Sequence, residues 1–452
     1  MQPHITVTGV PGDLPTMKPN GDALKLPQLI APKFDTLRRP SCLPNDTEFN
    51  PRPKVRKTSS HDLSINDTFT TTSFNPSSNS GLSGDIMDSE PPPCLESVTS
   101  WVFGDVQYIT DFLDRWPFFS FAIPLKLINA TLRTMGAPLL LNSPISGSLI
   151  LVALILDAPL TTCWGLAGLA LSIIMALVLK QPQHIVTSGQ VTQHGLLLGL
   201  LMGRALLHNT EHSLITTGIT LALTAPLSVV AGNAMTTWLS QTNLPALTLS
   251  YILLGACVCL GLDYPDLPTS TSGILVNSSS VPNLQWSQVI EGTVRGAGQV
   301  YGCPTFASSC LILAAILLFS PTMFLQACLG TLVGSLCVLM QSNDLHRVYR
   351  GDYGRHSLLT ALSLGGFFFV LNFYSCLVAL AGAVMSAFIF QVMLKINMPV
   401  LTVPHVVATL VLLHTRMRGG LIKRIDLVYL TFPEMHRRLF RPGNAVEDCP
   451  GH

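Results

Sequence analysis

Leu244-Pro245-Ala246-Leu247-Thr248 and Met398-Pro399-Val400-Leu401-Thr402 decide the reading of this chain. Each is a proline-broken pentapeptide inside an apolar run, and the two lie 154 positions apart. Working outward from them, a second register appears. At a spacing of 162, Arg133 meets Arg295, Gly136 meets Gly298 and Pro159 meets Pro321. The same spacing joins Gly189 to Gly351, His194 to His356 and Gly203 to Gly365. Two blocks with constant offsets in similar hydropathy point to one unit used twice.

Only 11% of the 452 residues are charged, against about 25% in soluble domains. Mean hydropathy is +0.45, which excludes a single water-soluble globule. A net charge of +1 argues against nucleic acid as a partner. The apolar residues are unevenly spread. Residues 1–100 are rich in Pro, Ser, Thr, Asn and Asp without apolar periodicity, and read as a disordered tail. Their start lacks the basic and apolar regions of a cleavable signal. From about Trp116 to Thr415 run long stretches of Leu, Ala, Val, Ile, Gly and Phe. Beyond them the chain is polar and basic, with Arg416, Arg418, Lys423, Arg424, Arg437, Arg438 and Arg441. Most of the eleven cysteines sit in apolar runs, and Cys257-x-Cys259 has neither the spacing nor the polar setting of a zinc site. They read as small hydrophobes; no metal and no cofactor is expected.

Each unit holds about six apolar segments, and a full span needs about 20 apolar residues. Residues 145–156 fall short before Asp157 and Pro159, and their counterpart near 307–319 stops at Ser320-Pro321. Short segments at matching places in two halves point to half-helices lining a site. Broken backbone cannot face lipid, so these must face protein or a water-filled path. The expected fold is an all-α integral membrane protein of two inverted homologous repeats. Each has about five transmembrane helices plus one re-entrant half-helix. An odd span count inverts the second unit. The expected parts are a cytoplasmic tail (1–100), a first membrane repeat (101–265), an extracellular loop (266–287), a second repeat (288–418) and a cytoplasmic tail (419–452). The basic C-terminal tail belongs inside by the positive-inside rule. Asn277 of the sequon Asn277-Ser278-Ser279 then lies outside as a glycosylation site. Both termini are expected in the cytoplasm.

Acidic residues are nearly missing from the apolar interior; Asp157, Glu211, Asp263, Asp266, Glu291, Asp344 and Asp352 all sit near segment ends. Ion-coupled carriers and cation channels usually place carboxylates on the path. Their scarcity favours passive movement of a small neutral solute. Such a path needs apolar walls and a file of hydrogen-bonding groups, because an unpaired amide-like group costs roughly 2–7 kcal/mol to bury. Thr248 and Thr402 offer one hydroxyl from each unit. Either they face one shared axis, or each bonds its own helix backbone. His194 and His356 form a matched pair at membrane depth. They are read as braces for broken helices, the alternative being a titrating lining. No HExxH or GxSxG motif appears, so an enzyme is not expected.

These residues also carry a resemblance. Asn142-Ser-Pro-Ile-Ser-Gly147, Ser188-Gly189, Gly195 with Leu200 and Met202, and the first pentapeptide resemble motifs of the vertebrate urea transporters. So do Ser280-Val-Pro-Asn283, Gly296-Ala-Gly-Gln-Val-Tyr-Gly-Cys303 and Pro399-Val-Leu-Thr-Val-Pro404. The likeness covers roughly residues 110–435, and the chain reads as a divergent member. It implies a homotrimer with a pore in each protomer that conducts urea passively, and it places Thr248 and Thr402 at the narrow middle. Gln299 keeps the family's slot glutamine. Ala137 stands where the first unit loses it, and Leu140 where an aromatic is lost. Leu247 and Leu401 replace phenylalanines of the pore wall, and the family's Asn is His194 and His356. The expected partners are urea or a similar neutral solute, membrane lipid and other copies of the chain. The alternative is the same fold passing water, ammonia or a short amide, or a non-conducting paralogue. Ser41 after Arg38-Arg39 and Ser59 after Arg56-Lys57 fit a basophilic kinase, a further expected partner. The plasma membrane is the expected location.

Overall fold

The computed structural model describes residues 104–106, 109, 112–113, 115–116, 121–208, 213–261, 284–340, 345–415, 422–427 and 430–439. By its contacts the chain divides into two segments, 1–65 and 66–452, and every described residue falls in the second. Ser41, Ser59 and Asn277 lie outside the described residues.

The described chain is helical, and its one extended pairing is an isolated bridge between Phe369 and Arg424. Ahead of the 262–283 stretch run α1 (Ile123–Gly136), a 3-10 turn (Ala137–Leu139), α2 (Pro144–Asp157), α3 (Pro159–Val178), α4 (Gln183–Ser188), α5 (Gln193–His208), α6 (Leu214–Ser240) and α7 (Leu249–Gly261). After it run α8 (Trp286–Gln299), α9 (Phe306–Phe319), α10 (Pro321–Leu339), α11 (Leu345–Arg350), α12 (Gly354–Leu362), α13 (Phe373–Lys395) and α14 (Val403–His414). A short α15 (Pro433–Leu439) follows.

Composition explains these bounds. Pro144, Pro159 and Pro321 open helices at the first turn, where a missing N–H costs nothing. Extended residues Ser143 and Ser320 precede two of them. Four helices, α3, α6, α10 and α13, are long and apolar enough to cross a membrane. The α1–α2 pair passes the same test jointly but bends by 80° at its break. The chain is thus a multi-pass membrane protein. Along α6 the exposed Ile215, Ile219, Leu223 and Leu227 recur every fourth residue, a stripe suited to lipid.

α2 and α9 have 14 residues each, about 21 Å of helix against a hydrocarbon core of about 30 Å. They pack against each other. Ser146 Oγ donates to Ala315 O at 2.8 Å, and Ser308 Oγ donates to Ala153 O at 2.9 Å. Ser146 and Ser308, like Ala153 and Ala315, are the residues that the 162 spacing pairs. Bonds that cross in this reciprocal way require the two helices to run antiparallel. Around them lies the largest cluster of buried apolar side chains, including Leu139, Ile150, Leu154, Ile312, Ile316 and Phe319.

Backbone breaks obey the same spacings. Left-handed φ angles occur at Leu140 (62°) and Gly302 (76°), and at Gly189 (73°) and Gly351 (81°). The 154 register supplies Asn243 (55°) with Asn397 (52°), and Leu247 (45°) with Leu401 (43°). Glycine is required at Gly351, where a Cβ would sit 2.6 Å from both Gly292 O and Gly296 N.

Candidate functional site

The two pentapeptides meet. In each, the left-handed Leu247 or Leu401 turns the chain so that the next residue, Thr248 or Thr402, stands at the start of a short apolar helix. Their carbonyls accept the first helical bonds, from Ile252 N at 3.0 Å and Val406 N at 3.1 Å. Their hydroxyls are spared for each other, with Thr248 Oγ1 and Thr402 Oγ1 2.7 Å apart. Of the two sequence-level readings, own-backbone bonding is not the arrangement found for this pair.

On one side of the pair opens a chamber of about 40 Å³. Leu197, Leu200, Leu201, Leu359 and Leu401 supply its apolar walls. Thr402, Gln299 and Tyr251 add polar groups, and Arg204, Arg355 and His356 complete the lining together with the Val300-Tyr301-Gly302 turn. Gln299 ends α8 and is oriented by Nε2 donation to Arg350 O at 3.1 Å. The Tyr301 hydroxyl donates to Met135 O at 2.5 Å, which ties the turn to α1. Four residues singled out from the sequence therefore border this chamber: Gln299, His356, Leu401 and Thr402. Thr248 joins them through its hydroxyl bond.

The remaining candidates lie elsewhere. Ala137 begins the 3-10 turn and Leu140 follows it. Leu140 and Leu247 pack into a cluster with Leu244, Leu364, Phe367 and Phe368. The same cluster takes Ile422, Leu427 and Leu430 from the C-terminal segment. At the sequence spacings these positions match the chamber's Gly302 and Leu401. The positions matching those two chamber residues are thus packed among apolar side chains. His194 is buried beside Gly232 and Ser250, with Nδ1 unpaired. His356 accepts a bond at Nε2 from Arg355 Nε at 2.9 Å, and its Nδ1 is unpaired. Thr360 bonds His356 O and lies 3.3 Å from His405 Nδ1.

Several wall residues escaped the sequence reading. Tyr301 lies in the quoted motif but gave no sign of facing a cavity. Arg204 and Arg355 were not singled out from the sequence. Arg204 Nη2 lies 3.3 Å from Asp157 Oδ2, and Asp157 Oδ1 accepts Thr305 N–H at 3.4 Å. This ion pair joins the end of α2 to α5 across 47 residues, a separation at which sequence gives no pairing signal.

A model of the urea transporter family matches residues 128–417, well over half of the chain. The chain belongs to the urea transporter family. Urea transporter 1 of Ovis aries is 28% identical over 356 residues, spanning 76% of this chain and 90% of that relative. Urea transporter 1 of Mus musculus is 29% identical over 361 residues, with the same coverage of each. That of Rattus norvegicus is 28% identical over 374 residues, covering 79% of this chain and 94% of its own. Members of this family are transporters rather than enzymes. The match spans α2 to α14, so chamber, hydroxyl pair and half-helices all fall inside it.

Proposed function

We propose that the chain carries urea passively, down its gradient, across the plasma membrane. The observation that carries this reading is the Thr248–Thr402 hydroxyl pair beside a leucine-walled chamber. Urea is flat and uncharged, with donors at its nitrogens and an acceptor at its oxygen. Leucine walls suit its faces. Threonine hydroxyls, which both donate and accept, suit its edges and offset lost hydration. None of the described residues lining the chamber is acidic, which fits movement without a coupled cation.

We read the two units as inverted repeats about one axis. The reciprocal Ser146 and Ser308 bonds, the hydroxyl pair and the matched left-handed breaks support this reading. On it, residues 101–265 and 288–418 are the repeats, 266–287 is an outer loop, and the tails 1–100 and 419–452 are cytoplasmic. Asn277 would then carry the glycan, and Ser41 and Ser59 would meet a basophilic kinase. We also read the chain as a homotrimer in lipid, as the resemblance implies. Asn277→Gln should abolish any N-glycan; a glycan lost instead on Asn45→Gln would reverse the topology.

The deciding experiment reconstitutes the purified chain in lipid vesicles and follows shrinkage and re-swelling under urea, acetamide and water gradients. Urea uptake should exceed that of empty vesicles at least tenfold. It should not change when sodium or proton gradients are imposed. Uptake equal to empty vesicles, or dependent on such a gradient, removes the proposal.

A further inference from the structure

The chamber beside the hydroxyl pair carries two guanidinium groups, Arg204 from α5 and Arg355 from α12. Their partners differ. Arg204 is held to Asp157, whose side chain is 4% exposed and whose second oxygen takes Thr305 N–H. That carboxylate is committed and offsets one charge. Among the described residues no carboxylate pairs with Arg355. Its Nε donates to His356 Nε2 at 2.9 Å, and its guanidinium carbon stands 5.5 Å from the centre of the Phe390 ring. Because His356 accepts at Nε2, the imidazole borders the chamber as a neutral ring. The wall therefore bears one unbalanced positive charge, and it belongs to Arg355.

The two repeats do not share this charge. At the 162 spacing Arg204 corresponds to Gly366 and Arg355 to Gln193, so neither cation recurs at the matched position. An arginine that only tied a helix end would have no reason to border the chamber together with Gln299 and Thr402.

We propose that Arg355 makes this mouth a charge filter, admitting neutral amides and rejecting cations of the same size and shape. The proposal rests on the chamber being part of the urea path. Urea and guanidinium are both planar, three-branched and rich in N–H donors. A slot of leucine and threonine cannot separate them by shape. A fixed positive charge in an apolar wall can, because repulsion there is poorly screened. The same charge would turn back ammonium while leaving ammonia and urea untouched.

The test uses the full chain in lipid vesicles, with urea and radiolabelled guanidinium uptake measured on the same preparation. The wild type should pass guanidinium at least tenfold more slowly than urea. Arg355→Gln should raise the guanidinium-to-urea ratio at least fivefold, and Arg355→Lys, which keeps the charge, should hold it near the wild-type value. An unchanged ratio in Arg355→Gln, with urea still carried, overturns the filter and leaves the urea reading standing. Wild-type guanidinium uptake equal to that of urea overturns it without any variant, should Arg355→Gln fail to fold. Absence of urea uptake in the wild type sinks the transport reading first, and this inference with it.

Discussion

At the residue scale the two threonines hold the most information. A buried hydroxyl needs a partner, and here each finds the other rather than its own helix. Removing one leaves its mate unpaired, at a cost of about 1–3 kcal/mol. Thr248→Val and Thr402→Val should each lower urea flux several-fold, while Thr248→Ser should stay close to the wild type. Because the hydroxyls act as a unit, the double valine variant should lose less than the product of the single losses. A double-mutant cycle of urea permeability checks this; independent, multiplicative effects would show that the hydroxyls do not cooperate on the path. Leu140 raises a different point. It adopts the left-handed conformation that its counterpart Gly302 adopts without penalty. Its side chain offsets this by packing into two apolar clusters.

At the element scale the two units solve one packing problem with exchanged residues. Where α3 crosses α5, Ser172 faces Gly195, and a Cβ on Gly195 would lie 1.9 Å from Ser172 Oγ. Where α10 crosses α12 the order is reversed: Gly334 faces Ser357, and a Cβ on Gly334 would lie 2.2 Å from Ser357 Oγ. Each serine spends its hydroxyl on a neighbouring helix, Ser172 on Ala225 O and Ser357 on Ala383 O. One crossing holds one serine. Gly195→Ser should therefore destabilise by about 2–4 kcal/mol, the range of core overpacking with strain. Adding Ser172→Gly, which copies the second unit's arrangement, should restore at least half of that loss. Thermal unfolding in detergent micelles reads both; a double variant no better than the single would mean that the two crossings differ in geometry.

At the scale of the whole molecule, the C-terminal segment straps the second unit's breaks together. Glu434 accepts Ser320 Oγ at 2.7 and 2.8 Å and Thr322 N–H at 3.1 Å, so it caps α10 from outside the bundle. His436 accepts Thr431 N–H at 2.8 Å, which leaves Nδ1 to donate to Gly366 O at 3.2 Å. Arg424 reaches the carbonyls of Leu413 and Asn243, the latter in the first unit. Glu434→Ala leaves Thr322 N–H and the capping hydroxyl of Ser320 without their acceptor and should cost about 1–2 kcal/mol, the usual loss for a helix cap. The measurement is the unfolding midpoint of the purified chain, and no shift would show the cap to be dispensable.

How much of this could be read from the chain alone differs by level. The short helices α2 and α9 were legible because proline and a short apolar run limit a helix whatever surrounds it: α2 ends at Asp157, and α9 ends at Phe319, just before the expected stop at Ser320-Pro321. The repeat-matched left-handed turns at Gly189 and Gly351 follow from the same local chemistry. The chamber walls were not legible. Whether Arg204 points into solvent or into a cavity depends on Asp157, 47 residues away, and Tyr301 depends on a carbonyl of α1. Sequence by itself determined that this chain is a multi-pass membrane protein of short and long helices, since hydropathy and backbone freedom are properties of single residues and near neighbours. Only the tertiary structure decided which side chains meet, that Thr248 bonds Thr402 and that Arg204 and Arg355 border the chamber. Contacts between distant residues are set by the packing of whole helices, and no local pattern encodes them.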